Sequence, residues 1–342
     1  MINPTIIEYT FEQKESKDFI EFMKELYSEN KYSDYYIKSM DKLKKNDNPS
    51  FKYLNITNFI AYHENKVIGH ISAIIDSRLS QEGVGILGFY ECIDNLEVSK
   101  LLIDKAVEYL KNQGCKIARG PIDLTIWHPY RFVIEQNDSF ILESITKPYY
   151  INQFKQEDFL VAAEYASGER SDFQTILPYT KPSYDSLLNE GFKIIRISED
   201  NFDKEVKAIY SVAKKTFRDS WSYVEISEEE FMYIYKDFKK NLKNLLMEIV
   251  YDKNDNPVGF CSSVIDPIKD KTIILKTIAV LPEYQNKKIG AALLYSQHKE
   301  ASERGLTKEI YALIRMGNVV TKMPYPGITI IRNYVALEKT IQ

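Results

Sequence analysis

Apolar positions along the chain change period several times, and the changes come in the same order twice. Residues 58–76, NFIAYHENKVIGHISAIID, hold two apolar runs joined by the polar stretch His63-Glu64-Asn65-Lys66. Residues 247–266, MEIVYDKNDNPVGFCSSVID, do the same around Lys253-Asn254-Asp255-Asn256. Both predict β-hairpins, because side chains alternate between faces along a strand and a short polar turn reverses the chain. The second strands align as VIGHISAIID over PVGFCSSVID. That places Gly69 on Gly259, Ser72 on Ser262 and Asp76 on Asp266, each 190 positions apart.

The later elements keep step. Each hairpin leads to another apolar strand, 84–93 or 272–280, and then to an amphipathic helix, 96–112 or 291–304. Gly114 and Gly305 stand where a left-handed residue would close those helices. A further strand comes next, KIARG or KEIYALI, and the second copy is expected to end on a strand pair, ITIIRNYVALEK. Helices precede both hairpins. Phe19, Phe22, Met23 and Leu26 have helical spacing in the first copy, as do Phe202, Val206, Ile209, Val212 and Phe217 in the second. Ser227-Glu228-Glu229-Glu230 predicts a capping box opening a helix that turns Phe231, Ile234 and Phe238 inward. Two copies of one α/β (α+β) unit are expected, each a mixed, mostly antiparallel sheet flanked by helices. The boundary is placed near 176–192, giving domains 1–180 and 181–342.

Composition narrows the function without naming it. At 342 residues the chain has room for two cores, and 44% hydrophobic with 27% charged residues suits a globular protein. A net charge of −4 argues against a general nucleic-acid or anionic-membrane surface. The first residues lack the basic-then-apolar order of a secretory signal, and no apolar run reaches the ~18–20 residues of a membrane span. Cys92, Cys115 and Cys261 are scattered in or beside apolar runs and are expected as buried free thiols. His63, His70, His128 and His298 show no metal-ligand spacing. A cytoplasmic protein without a metal, a membrane or a nucleic-acid partner is expected.

The candidate chemistry lies in IAVLPEYQNKKIGAALL, residues 278–294. A β-branched run stops at Pro282, crosses a polar loop holding Lys287 and Lys288, and enters an apolar helix at Gly290-Ala291. Helix N-termini carry unpaired N–H groups and positive dipole charge, so two lysines there are either part of an anion site or an ordinary solvated turn. The first copy's junction reads YECIDNLEVSK, with Asp94 and Glu97 where the second copy has Gln, Lys and Gly. Those carboxylates would repel an anion.

The order of elements, with V-x-P-x-x-Q-x-x-x-x-G-A at the junction, resembles the GNAT acyltransferase superfamily, whose loop signature is Q/R-x-x-G-x-G/A. The matching positions are Gln285, Lys288, Gly290 and Ala291. Lys288 replaces a glycine; lysine adopts φ > 0 poorly, although its backbone donor is retained. The resemblance implies that Gln285, Asn286, Lys287, Lys288, Ile289, Gly290 and Ala291 hold the pyrophosphate of acetyl-CoA. It also implies that Ile278, Ala279 and Val280 hold the pantetheine arm through backbone hydrogen bonds. Asn318 matches the asparagine that opens the helix after the fifth strand, and is expected among the cofactor-binding residues. Tyr325, seven residues on, matches the tyrosine that protonates the departing CoA thiolate, although Pro324 and Pro326 flank it. The family often has a glutamate on the fourth strand as base. Here that strand reads ILKTIAV, and Glu225, Glu248 and Asp266 are candidates by nearby placement only.

The implied activity is acyl transfer, most simply acetyl transfer from acetyl-CoA to an amine of a small molecule or peptide, with a C-terminal copy that binds CoA and a degenerate N-terminal copy that does not. Two other readings stay open: a Fem-type aminoacyl transferase using charged tRNA, and a non-catalytic acyl-CoA-binding protein. The segment Trp127-His128-Pro129-Tyr130-Arg131, with Tyr149-Tyr150, either lines an acceptor pocket or packs between domains.

Overall fold

The computed structural model describes residues 3–135, 138–317 and 327–341. The chain divides into two compact units, Met1–Tyr165 with Arg332–Gln342, and Ala166–Ile331. The division falls inside a strand, and the chain's last residues are assigned to the first unit. The stretch 176–192, where the sequence suggested a boundary, is mostly helix. Pro178 falls in its first turn, where no N–H is needed.

The first unit begins with β1 (Thr5–Tyr9), α1 (Glu15–Leu26) and α2 (Ser33–Leu43). The expected hairpin follows as β2 (Leu54–His63) and β3 (Lys66–Asp76), its turn held by Glu64 and Asn65 at φ 47° and 64°. Then come β4 (Val84–Cys92), α3 (Leu96–Asn112), β5 (Ile117–Gly120), β6 (Phe132–Val133) and α4 (Tyr150–Lys155). Strand β7 (Leu160–Ser171) carries the chain into the second unit. Strands run in the order β1-β2-β3-β4-β5, and only the β4–β5 pair is parallel. α3 buries Val98, Leu102, Ala106 and Leu110 in the main apolar cluster of this unit. Burial of each such leucine stabilises by about 1.5–3 kcal/mol. Gly114, at φ 84°, closes the helix with its N–H on Lys111 C=O, as the sequence predicted.

The second unit holds α5 (Leu177–Asn189), β8 (Lys193–Arg196), α6 (Phe202–Thr216) and α7 (Glu228–Tyr235). The Ser227–Glu230 capping box is formed, but α7 ends at Tyr235, before Phe238. Next come β9 (Leu245–Tyr251), β10 (Pro257–Ile265), β11 (Thr272–Val280), α8 (Ile289–Glu303) and β12 (Lys308–Arg315). β13 (Thr329–Thr340), one continuous strand where a pair was expected, returns the chain to the first unit, where Leu337–Thr340 pair antiparallel with β5. The order β8-β9-β10-β11-β12 repeats the first unit's pattern: antiparallel pairs throughout, except the parallel pair β11–β12. Gly305 ends α8 at φ 75°. The three cysteines are buried and free. Among the described residues no helix is long and apolar enough to cross a membrane, and no cluster of ligating side chains could hold a metal ion.

Candidate functional site at the β11–α8 junction

Strand β11 changes partners halfway along. Its first residues pair with β12, from Thr272↔Lys308 to Leu275↔Tyr311, where the register ends. On its other edge, β10 keeps pairing to Gly259↔Val280, with one slip between Ser262↔Thr277 and Ser263↔Leu275. Lys276 is therefore the extra residue of a β-bulge. The bulge explains why Leu275 and Ile278, three positions apart, both pack in the cluster that contains α8, where strict alternation would part them.

Leu281 N–H donates to Val258 C=O at 2.9 Å. By strand alternation the N–H and C=O of Ala279 face β10 too. Those of Ile278 and Val280 face the other edge, beyond the end of the β12 pairing. Two residues help to turn β12 aside: Leu313 is left-handed at φ 58°, and its N–H donates to Ser167 Oγ at 2.9 Å. No local signal in the sequence ties Ser167 to Leu313, 146 positions away.

The polar loop is a 3₁₀ turn, Pro282–Lys287, with Gln285, Asn286, Lys287 and Lys288 all exposed. Lys288 takes φ 57° and ψ 22°, the left-handed conformation that a glycine would supply. It is the N-cap of α8, and the helix has no side-chain cap and no acid in its first turn. Ala292 N–H closes the first turn on Lys288 C=O at 3.1 Å. The N–H groups of Ile289, Gly290 and Ala291 are thus the open end of a helix beside two lysines, a combination suited to a phosphate. A Cβ on Gly290 would meet only Ile278 Cδ1, at 3.8 Å, so the protein's own packing does not demand glycine there. Close approach of a ligand to the amide is what its absence permits. Lys287 Nζ lies 3.2 Å from Glu190, in an exposed pair whose contribution to stability is small.

The acids considered as bases are engaged elsewhere. Glu248, on β9, is 2% exposed and accepts from Arg196 at 2.7 and 3.1 Å, Ser296 at 2.8 Å and Gln297 at 2.9 Å. Asp266 accepts the N–H groups of Ile268 and Lys269, which makes it a turn residue. Glu225 is an exposed partner of Lys214 at 3.5 Å. Asn318 and Tyr325 lie outside the described residues.

The first unit treats the equivalent junction differently. Asn95 Oδ1 accepts from Glu97 N–H at 2.9 Å and Val98 N–H at 3.1 Å, so the mouth of α3 is capped by the protein itself. At the end of β4, Tyr150 Oη accepts from Cys92 N–H at 3.1 Å. Tyr149 donates to Cys92 C=O at 2.8 Å, and Gln153 to Ile93 C=O at 2.9 Å. The backbone groups corresponding to the open edge of β11 are thus taken by α4 and the residue before it. Tyr149 and Tyr150 belong to this interior, and Arg131 stacks on Tyr130 and Tyr165 within the same unit.

Comparison with known proteins bears on the fold and the family. Residues 206–321 match the model of the Acetyltransferase (GNAT) family. A tandem GNAT protein from the clavulanic acid biosynthesis pathway superposes with a TM-score of 0.62, covering 99% of both chains at 9% identity. The chain has a tandem GNAT-type fold, with the family match in its second unit. By sequence it is similar to a bacterial ceramide synthase of Caulobacter vibrioides, 21% identical over 218 residues. That alignment covers 62% of this chain and 57% of the synthase. A spermidine N(1)-acetyltransferase of Thermoplasma acidophilum is 28% identical over 112 residues, covering 30% of this chain and 68% of that enzyme.

Proposed function

We propose that the chain is an acyl-CoA-dependent N-acyltransferase whose second unit binds the donor, with acetyl-CoA the expected one. The observation that carries this reading is the uncapped mouth of α8 behind a left-handed Lys288, set against the open edge of a bulged β11. Gln285, Asn286, Lys287 and Lys288, with the amides of Ile289, Gly290 and Ala291, would hold the pyrophosphate; the backbone at Ile278, Ala279 and Val280 would hold the pantetheine arm. The neutral amine of a small-molecule or peptide acceptor attacks the thioester carbonyl, a C–N bond forms, the C–S bond breaks, and the proton shed by the nitrogen passes to water. Tyr325 is proposed to protonate the leaving thiolate, and Asn318 to border the same site. The relatives' names, one for spermidine N(1)-acetylation and one for ceramide synthesis, support an amine acceptor. The first unit, with its junction filled by Asn95, Tyr149, Tyr150 and Gln153, is proposed not to bind CoA.

The test is calorimetry of acetyl-CoA with the wild-type chain and with Gly290→Glu, which sets a carboxylate at the helix mouth. One site per chain, lost in the variant, is expected; no binding to the wild type refutes the proposal. A second reading, acyl-CoA binding without turnover, draws on Glu225, Glu248 and Asp266 all being engaged as described. Turnover against a panel of amines, corrected for thioester hydrolysis, separates the two. Binding with no amide product anywhere in the panel supports the second.

A further inference from the structure

We infer that the second unit takes only donors with a short acyl chain, and that Tyr311, with Leu275 opposite it, sets the limit. The inference rests on the donor site proposed above and concerns its closed end. The opening between β11 and β12 runs from Val280, near the mouth of α8, back to the last residue pair, Leu275↔Tyr311. A donor with its pyrophosphate at α8 and its arm on Ile278–Val280 carries its thioester toward that pair. Beyond it the strands stay paired, from Ile274↔Ile310 to Thr272↔Lys308. Paired strands lie about 4.8 Å apart, so no hydrocarbon passes between them in the plane of the sheet. A longer acyl chain must leave along one face.

Both faces are full. Toward α8, Leu275 and Tyr311 are buried in the cluster of Ile289, Ala292 and Leu293. The next pair on that face is Ile273↔Glu309, also buried. His298 Nε2, from α8, meets Glu309 at 2.6 Å, and Phe173 stacks on the imidazole with centroids 5.1 Å apart. Burial and the nearby Glu309 carboxylate push the Tyr311 hydroxyl above the usual phenol range, so it stays uncharged. Glu309 Oε1 and His298 Nδ1 are buried without a hydrogen-bond partner. A chain reaching past Tyr311 would lay methylene groups against these polar atoms, which is unfavourable for both. On the opposite face Ile274 and Ile310 are buried side by side. Cores of this kind admit extra methylenes only by displacing what is there. The bulge residue Lys276 and Thr277 are half-buried and polar, so a chain turned outward there gains little apolar cover.

The experiment is calorimetry of the full chain with acetyl-, butyryl- and hexanoyl-CoA, each read as its affinity relative to acetyl-CoA. An open apolar channel would tighten binding about fourfold for every added methylene. The closed floor predicts the reverse, with hexanoyl-CoA at least about tenfold weaker than acetyl-CoA. Tyr311→Val, whose side chain suits a strand, removes the ring and should raise hexanoyl-CoA relative to acetyl-CoA by about tenfold or more. Failure of acetyl-CoA itself to bind removes the donor site, and the limit with it. The limit alone is overturned if acetyl-CoA binds and hexanoyl-CoA binds the wild type as tightly. It is also overturned if the ratio is the same in a folded Tyr311→Val. Should that variant fail to fold, Leu275→Val decides in its place: a gain of about fourfold for butyryl-CoA relative to acetyl-CoA is expected, and no gain overturns the limit.

Discussion

Lys288 offers the sharpest test of the donor loop, because its backbone is unusual for its residue type. At φ 57° and ψ 22° it occupies the left-handed region, which costs a non-glycine residue roughly 1–2 kcal/mol. Lys288→Gly removes that cost from the folded state. It also loosens the unfolded chain, which takes back about 0.4–1 kcal/mol. The variant should thus be as stable as wild type or up to about 1.5 kcal/mol more stable. Lys288→Val moves the other way, since a β-branched residue tolerates positive φ worse than lysine does. A gap of about 2 kcal/mol between the two variants corresponds to about 4–8 °C for a unit of this size. Differential scanning calorimetry should be read on the transition that acetyl-CoA raises, which identifies the unit that binds it. Lys288→Gly keeps the amide donors and should retain acetyl-CoA affinity within a few-fold, losing only an exposed charge. If Lys288→Val melts as high as Lys288→Gly, the left-handed junction and the cradle built on it are wrong.

Neighbouring groups carry further expectations. Gly290→Ala should leave the melting profile unchanged, because its methyl meets only Ile278 at 3.8 Å, yet weaken acetyl-CoA in calorimetry. Equal affinity would show that no ligand approaches that backbone closely. Glu248→Ala should destabilise by about 2–3 kcal/mol in denaturant titrations, since it leaves the Ser296 and Gln297 donors without their acceptor and Arg196 paired with Glu300 alone. Its turnover per folded molecule should be unchanged; a selective loss of kcat would restore it as a base. Tyr325→Phe should lower kcat while sparing acetyl-CoA affinity, and equal kcat would remove the proposed acid.

How much of this was legible depends on what each residue does. The repeat showed because its matched glycines answer one packing demand. A Cβ on Gly69 would lie 2.6 Å from Leu102 of α3, and one on Gly259 would lie 3.1 Å from Ile289 of α8. Both strands must let a helix approach, so both keep glycine. The loop showed because a helix mouth needs a local sequence. Lys288 stood out as a departure, but the structure shows the glycine conformation kept with a lysine in it. Strand membership did not show: β7 and β13 each pass from one unit to the other, and no local period records which sheet a strand joins. The sequence puts the boundary near 176–192 because a new strand follows that stretch, but the stretch itself is mostly the helix α5, with Pro178 in its first turn. The filling of the first unit's junction was half visible. Asp94 and Glu97 marked it as hostile to anions, whereas Tyr149, Tyr150 and Gln153 reach β4 from some 60 positions away.

The buried acids and histidines of the first unit make its stability depend on pH in opposing directions. Burial lowers His70 and His128 to about 3 from 6.5, so both are neutral in the folded state. Between those limits the unfolded chain binds more protons, and stability rises with pH. Burial raises Glu91 to about 8 from 4.5 and Asp123 to about 7 from 3.8. These hold protons that the unfolded chain releases, so their contribution is full below about 4 and falls as pH climbs through 7 and 8. From pH 3 to 4 the histidines act alone and stability rises. From about 4.5 to 6.5 the two pairs oppose each other and the curve should be nearly flat. Above 6.5 the histidines drop out and stability should decline to about pH 8. Urea titrations across this range test the shape, with Glu91→Gln and Asp123→Asn as controls that should flatten the alkaline side. A wild-type stability that keeps rising from pH 6.5 to 8 would mean that the two acids are ionised in the fold.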